Sequence, residues 1–283
     1  LAGCIGVAIF MQDSVKLLQM PLVSAVEDFG VIDIDLQTIG LEQYIKPLEK
    51  RTVNLGMLRN AKENNLIEMS TSTNIISYEQ NSDGVFAISD DGNKINGIAL
   101  IGAEGLWSKI RAQLVGDGPP KVSGHTTYRS VIPIDQMPEE LRWNAATLWA
   151  GPKCHIVHYP IHGGKSFNLV VTYHNDALEP VAGKQVSKDV VRKGFEHVNS
   201  IAKQIIEKGK DWKLWVLCDR DPVTKWVDRK VAVLGDAAHP MLQYLAQGAC
   251  MAIEDAVCLS EEVKNEKENI EQGEYDVTQG TIS

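Results

Sequence analysis

Long apolar runs are absent from the sequence: none reaches the roughly 18 residues that a membrane-spanning helix needs, so no integral membrane segment is expected. Cysteine is scarce and scattered. Cys4, Cys154, Cys218, Cys250 and Cys258 are odd in number and form no Cys-x-x-Cys pair, which supports neither a disulfide framework nor a zinc site. A reducing, cytoplasmic setting is the expectation. Positive charge is in deficit, with 28 basic against 37 acidic residues and a net charge of −9. That balance works against nucleic acid and anionic membrane surfaces as partners. Internal repeats and low-complexity tracts are missing as well. So is an initiator methionine, and the sequence is expected to begin inside a longer one. Leu1-Ala2-Gly3-Cys4 matches a lipoprotein cleavage box by letter, but no basic or hydrophobic segment precedes it.

What is present suits a globular protein. Apolar residues make up 44% of the 283, enough to fill the core of one large or two modest domains. Thr73–Tyr78, Val85–Ser89 and Ile95–Ile101 read as strands, with turns at Asp83-Gly84 and Asp91-Gly92. The apolar run stops at Gly102, and Ser108–Leu114 then has the spacing of a short helix. Between residues 125 and 174, Thr126–Ile134, Ala146–Ala150, His155–Ile161 and Phe167–His174 predict an antiparallel sheet. Helical stretches follow near 187–207, then a Trp-rich strand candidate, Trp212–Cys218. Lys230–Leu234 is a buried-strand run that leads through a loop into a helix from Ala246 to Val263, and the chain is highly charged from Glu261 to Glu274.

The richest chemistry follows that last strand, in Gly235-Asp236-Ala237-Ala238-His239-Pro240 and Gln247-Gly248-Ala249-Cys250-Met251-Ala252-Ile253-Glu254-Asp255-Ala256. A carboxylate just beyond a strand can accept hydrogen bonds from ligand hydroxyls. A glycine at a helix start lets a ligand approach the exposed backbone N–H groups. The residues alone are equally compatible with a capped helix packed on a sheet. Gly102-Ala103-Glu104-Gly105-Leu106-Trp107-Ser108-Lys109-Ile110-Arg111 likewise reads as a strand-terminating turn and a helix cap. His174 ends an apolar strand, a position more often structural than catalytic. His155 and His158 share a strand, and the sequence does not choose between surface and pocket for either.

Taken together these strings resemble the class A flavin-dependent aromatic hydroxylases, the family that contains salicylate hydroxylase and 3-hydroxybenzoate 6-hydroxylase. The resemblance covers roughly residues 51–262, and its pattern is nearest the 3-hydroxybenzoate type across Trp143–Ala146, Gly151–His155, His158–Pro160 and Val170–His174. It implies FAD as cofactor, NADH or NADPH as cosubstrate, and O2 with a small aromatic acid as the other reactants; a homodimer is left open. Asp236 would contact the ribityl and diphosphate region and the helix led by Gly248 would face the pyrimidine edge, with Gly235, Pro240 and Ala249 in the same string. Glu104 and Gly105 belong to a second motif tied to FAD and the pyridine nucleotide, where Glu104 replaces the usual aspartate. Arg51 occupies the place of an FAD-contacting arginine, although Asn54 replaces the aspartate of that stretch. His174 is expected to act as base on the phenol hydroxyl, with Gln243 orienting it and Tyr244 lining the pocket.

The fold this implies is α/β, a glutathione-reductase-like FAD-binding sheet domain interrupted by a mostly antiparallel substrate domain, with boundaries at 1–115, 116–214 and 215–283. The Gly-x-Gly-x-x-Gly turn of the family's first βαβ unit is not found, so that unit is expected to be missing. The implied reaction converts a small phenolic acid, as in 3-hydroxybenzoate to gentisate. The alternatives are a salicylate or hydroxynicotinate hydroxylase, and an inactive flavoprotein that serves as a binding module.

Overall fold

The structure, a computed structural model, describes residues 6–10, 15–18, 59–142 and 144–272. Strands β1 (Gly6–Phe10) and β2 (Val15–Leu18) pair antiparallel, and β2 pairs in parallel with β3 (Ile67–Ser70). A separate meander follows, made of β4 (Ile75–Gln80), β5 (Val85–Ser89) and β6 (Lys94–Gly97). Its turns are closed by short polar side chains, as expected. Asn81 Oδ1 accepts from the N–H groups of Asp83 and Gly84, and Asp91 Oδ1 accepts from that of Asn93.

One expectation is corrected here, because Ile95–Ile101 is not a single strand. The chain breaks pairing at Ile98, which is 56% exposed, and β7 (Ala99–Ala103) leaves the meander for a six-stranded sheet where it lies antiparallel to β1. The apolar alternation carries straight through the break, so only the competing partner strand reveals it. The expected helix does form, as α1 (Lys109–Val115), with the Ser108 hydroxyl accepting from Arg111 N–H and Gly116 closing the far end. Ile110 and Leu114 of α1 pack with Leu100 of β7 and with Ile75, Tyr78, Val85 and Ala87 of the meander.

A second six-stranded sheet takes up the middle of the chain. Strands β8 (Lys121–Pro133), β9 (Thr147–Gly151), β10 (Cys154–Ile161) and β11 (Ser166–His174) are followed by β12 (Lys184–Gln185), α2 (Lys188–Gly194), α3 (Ser200–Lys208) and β13 (Lys213–Asp219). The order is β12-β13-β8-β11-β10-β9, with antiparallel pairing in β8/β11, β10/β11, β9/β10 and β12/β13. One face of this sheet is apolar. Tyr128, Ile132, Ile156, Phe167, Leu169 and Val171 pack there against Val191, Phe195, Ala202, Ile205 and Ile206 of the two helices and against Trp212. Each such burial stabilises by about 2 kcal/mol.

The chain then returns to the first sheet through β14 (Val227–Asp228) and β15 (Val231–Val233) and ends its described part in the long helix α4 (Gly248–Gln272). β15 pairs in parallel with β7. The described residues thus form two compact units. The first takes in the described parts of Leu1–Leu22 together with Ala61–Pro120 and the described residues from Asp219 onward; Lys121–Cys218 belongs to the second. The α/β class with an antiparallel second sheet is borne out. Among the described residues no helix is long and apolar enough to cross a membrane.

Candidate functional site

In the first unit, the end of β15 is the focus. Leu234 N–H donates to Gly102 O at 2.9 Å, carrying the parallel pairing one residue further, and the chain then tightens into a 3-10 turn, Gly235–Ala237. Gly235 has φ +59, and a Cβ on it would stand 3.1 Å from that of Ala252, so a side chain here would both strain the backbone and push α4 away. Asp236 follows, half-buried. A Cβ placed on Gly248 would meet Asp236 Oδ1 at 3.5 Å, so the fold brings the carboxylate against the first residue of α4. That distance is ordinary contact, hence protein packing alone does not demand a glycine at 248. The space a side chain would take is left beside the N–H groups of a 25-residue helix. Ala249 and Pro240 are half-buried on either side. Gln243, half-buried, and Tyr244, 44% exposed, lie on a second 3-10 turn, Gln243–Leu245.

The motif around Glu104 forms a buried helix cap. Glu104 is buried, its Oε1 accepts from Ile110 N–H at 2.8 Å, and Oε2 has no hydrogen-bond partner among the described residues. The carboxylate reaches over the start of α1 and accepts from its Ile110 N–H. Burial pushes its pKa up against the hydrogen bonds from Ile110 and its neighbours. Gly105, also buried, begins the 3-10 turn Gly105–Trp107. Arg111, fully buried, donates from Nη1 to the carbonyls of Ala237 and Ala238 at 3.1 and 2.6 Å and from Nε and Nη2 to Asp117 Oδ2 at 2.9 and 2.7 Å. Arg220 reaches the other oxygen of Asp117 at 2.9 Å. Burial works against the Asp117 charge, but the two guanidinium groups outweigh it and hold the carboxyl below its usual range. The two sequence motifs are therefore joined through this arginine.

In the second unit, strand register settles which histidines share a face. His125 pairs with His174, Thr127 with Thr172, and Thr172 with His155, so all five side chains stand on the sheet face opposite the apolar core. Arg129, Asn168 and Tyr159 continue the same face. The His125 and His174 rings meet edge-on with centroids 4.4 Å apart, and His174 Nε2 lies 3.2 Å from Asp176 Oδ1 at the exposed end of the strand. His155 sits further in. Burial, with His125 as a second cause, pushes its pKa down, so its ring is neutral at neutral pH. His158 points the other way, into the core, stacked on Trp149 with centroids 6.2 Å apart.

Of the residues expected from sequence, the fold brings Asp236 and Gly248 together, Gly235 starts the turn and Pro240 follows just beyond it; Arg51 is outside the described residues. His155 and Tyr159 went unselected in the sequence. Their signal was the i, i+4 spacing on β10, which places both on the polar face. The half-buried Asp236 beside the open first turn of α4 is a cradle that a Cβ at Gly248 would fill, and this donor and acceptor set fits a flavin dinucleotide.

The chain belongs to the FAD binding domain family, whose model matches residues 31–265. This bears out the expected kinship with FAD-dependent aromatic hydroxylases. Among its relatives, 3-hydroxybenzoate 6-hydroxylase 1 of Aquipseudomonas alcaligenes is 56% identical over 205 residues, covering 72% of this chain and 52% of that protein. The 3-hydroxybenzoate 6-hydroxylase of Polaromonas naphthalenivorans (strain CJ2) is 45% identical over 212 residues, covering 75% and 53%. The chain therefore spans about half the length of these relatives. A salicylate hydroxylase solved as a substrate complex shares the fold with a TM-score of 0.66 at 24% identity, over 75% of this chain and 56% of that one.

Proposed function

We propose that this chain carries the flavin-contacting turn and the substrate sheet of an aromatic-ring monooxygenase that hydroxylates a small phenolic acid, of the 3-hydroxybenzoate-to-gentisate type. One observation carries the reading. A neutral, half-buried imidazole, His155, shares a polar sheet face with the half-buried Arg129, on a chain whose relatives are named as 3-hydroxybenzoate hydroxylases. FAD, reduced by NADH or NADPH, supplies oxygen transfer from O2 when bound. Asp236 and the α4 N-terminus at Gly248 would hold it, the helix end favouring negative charge on the isoalloxazine.

A phenol must lose its proton for electron density to rise at the ortho and para carbons, and a neutral histidine can accept that proton. His155 suits this role better than His174, whose ring stands at the strand end beside exposed Asp176. Arg129 offers a positive charge for the substrate carboxylate, whereas Gln243 and Tyr244 keep the roles the resemblance implies. A cytoplasmic setting goes with this reading.

The test is retention of FAD by the purified 283-residue chain, read by visible absorbance and flavin fluorescence quenching, followed by NADH oxidation with 3-hydroxybenzoate and chromatography of the product. Gentisate formation supports the reading. Turnover only with salicylate or a hydroxynicotinate would move it to a sister activity, and flavin binding without turnover of any phenolic acid would leave a binding module.

A further inference from the structure

One oxygen of Asp255 ties down both ends of the turn that carries Asp236. Gly235 N–H donates to Asp255 Oδ2 at 2.8 Å, and His239 Nε2 lies 2.6 Å from the same atom. Nδ1 of that ring has no hydrogen-bond partner among the described residues, so the bond to Asp255 is its polar anchor there. The ring also rests on Trp226, with centroids 5.1 Å apart. Asp255 comes from α4, one helical turn beyond Ala252, whose Cβ a side chain on Gly235 would meet. From the opposite side, Arg111 holds the carbonyls of Ala237 and Ala238. Asp236 thus lies between backbone groups gripped from outside the turn, and the helix that grips them is the one whose first residue, Gly248, meets the Asp236 carboxylate.

We propose that Asp255 is a positioning residue for flavin binding: by fixing the Gly235–His239 turn it sets Asp236 against the N-terminus of α4. Alanine at 255 frees the Gly235 N–H and the His239 ring together, and Asp236 then loses its fixed place relative to Gly248. Asparagine keeps an acceptor oxygen at the same reach and preserves the anchor. The proposal rests on reading Asp236 as a flavin contact.

The experiment measures FAD dissociation constants by fluorescence quenching for the unmodified chain, Asp255→Ala, Asp255→Asn, Asp236→Asn and the double variant Asp236→Asn/Asp255→Ala, with the apo-protein melting curve of each. Asp255→Ala should weaken FAD binding about tenfold or more while the apo protein still melts cooperatively, and Asp255→Asn should stay within about threefold of the unmodified chain. On the Asp236→Asn background, Asp255→Ala should add less than about twofold, because its effect passes through Asp236. Undiminished affinity in Asp255→Ala, equal loss in both backgrounds, or no rescue by asparagine overturns the proposal. An Asp236→Asn variant that binds FAD as tightly as the unmodified chain, or an unmodified chain that does not quench flavin, overturns instead the reading of Asp236 on which it rests, and the proposal with it.

Discussion

His155 and His158 stand on one strand and face opposite sides of its sheet, the first among Thr172, His125 and His174, the second stacked on Trp149 inside the core. The two rings share a residue type and a strand but answer to different constraints. His158 is fully buried, and burial pushes its pKa down to about 4. In the unfolded chain the ring titrates near 6.5.

Stability is therefore expected to depend on pH through His158. Below about pH 6.5 the unfolded ring takes up a proton that the folded ring refuses, so the unfolded state gains and the fold weakens toward pH 4, by up to about 3 kcal/mol. Above pH 6.5 the contribution is flat. His158→Leu should flatten this slope, as read by denaturant midpoints at pH 7.5 and 5; an unchanged slope would show that the proton uptake lies elsewhere.

Arg111→Ala should destabilise the first unit by about 3 kcal/mol or more, because it leaves Asp117 half-paired and the carbonyls of Ala237 and Ala238 without their donor. Arg111→Lys should recover only part of the loss, since one ammonium cannot span a carboxylate and two carbonyls. Urea unfolding of the three proteins checks the order.

Replacing Glu104 by alanine should cost about 1–3 kcal/mol by stripping the acceptor from Ile110 N–H. Glutamine keeps that acceptor without a charge. Because burial raises the Glu104 pKa, the folded state favours the neutral carboxyl, and its stabilising contribution fades as pH rises through the folded pKa. Glu104→Gln should therefore gain on the unmodified chain between pH 4 and pH 8 in paired thermal melts. A constant difference across that range would refute the assignment.

In turnover, His155→Gln should lower kcat/KM for the phenolic acid by about a hundredfold or more, the usual worth of a general base. His174→Gln should cost less than about tenfold. Stopped-flow with one phenolic acid and its methyl ether separates the roles, since the ether carries no phenol proton for His155 to remove. If His174→Gln is the more damaging change, the base belongs at the strand end.

Much of this arrangement is legible in the letters. The β-rich segments His155–Ile161 and Phe167–His174 read as strands, and Ser108 announces α1, because local propensity and capping decide those elements. What the letters hide depends on partners far along the chain. Ile98 reads as the middle of a strand, and only the pairing of β7 with β1 and β15 shows that it is a break. Nor does the motif show that Glu104 caps α1 through Ile110 N–H, a contact six residues on. That His155 and His174 share one face follows from the register of three strands, which no single segment carries.

The parallel pairing of β7 with β15 also bears on synthesis. Val231 emerges from the ribosome only after all of Lys121–Cys218 has been made, so until then β7 presents one open edge of backbone donors and acceptors. The sheet built from Lys121–Cys218, contiguous in sequence, can close before the sheet that holds β7 and β15 does. A nascent chain whose Lys121–Cys218 segment has emerged but whose Val231 has not therefore holds a sheet able to close beside a β7 edge still without β15, a state open to aggregation and to capture by chaperones.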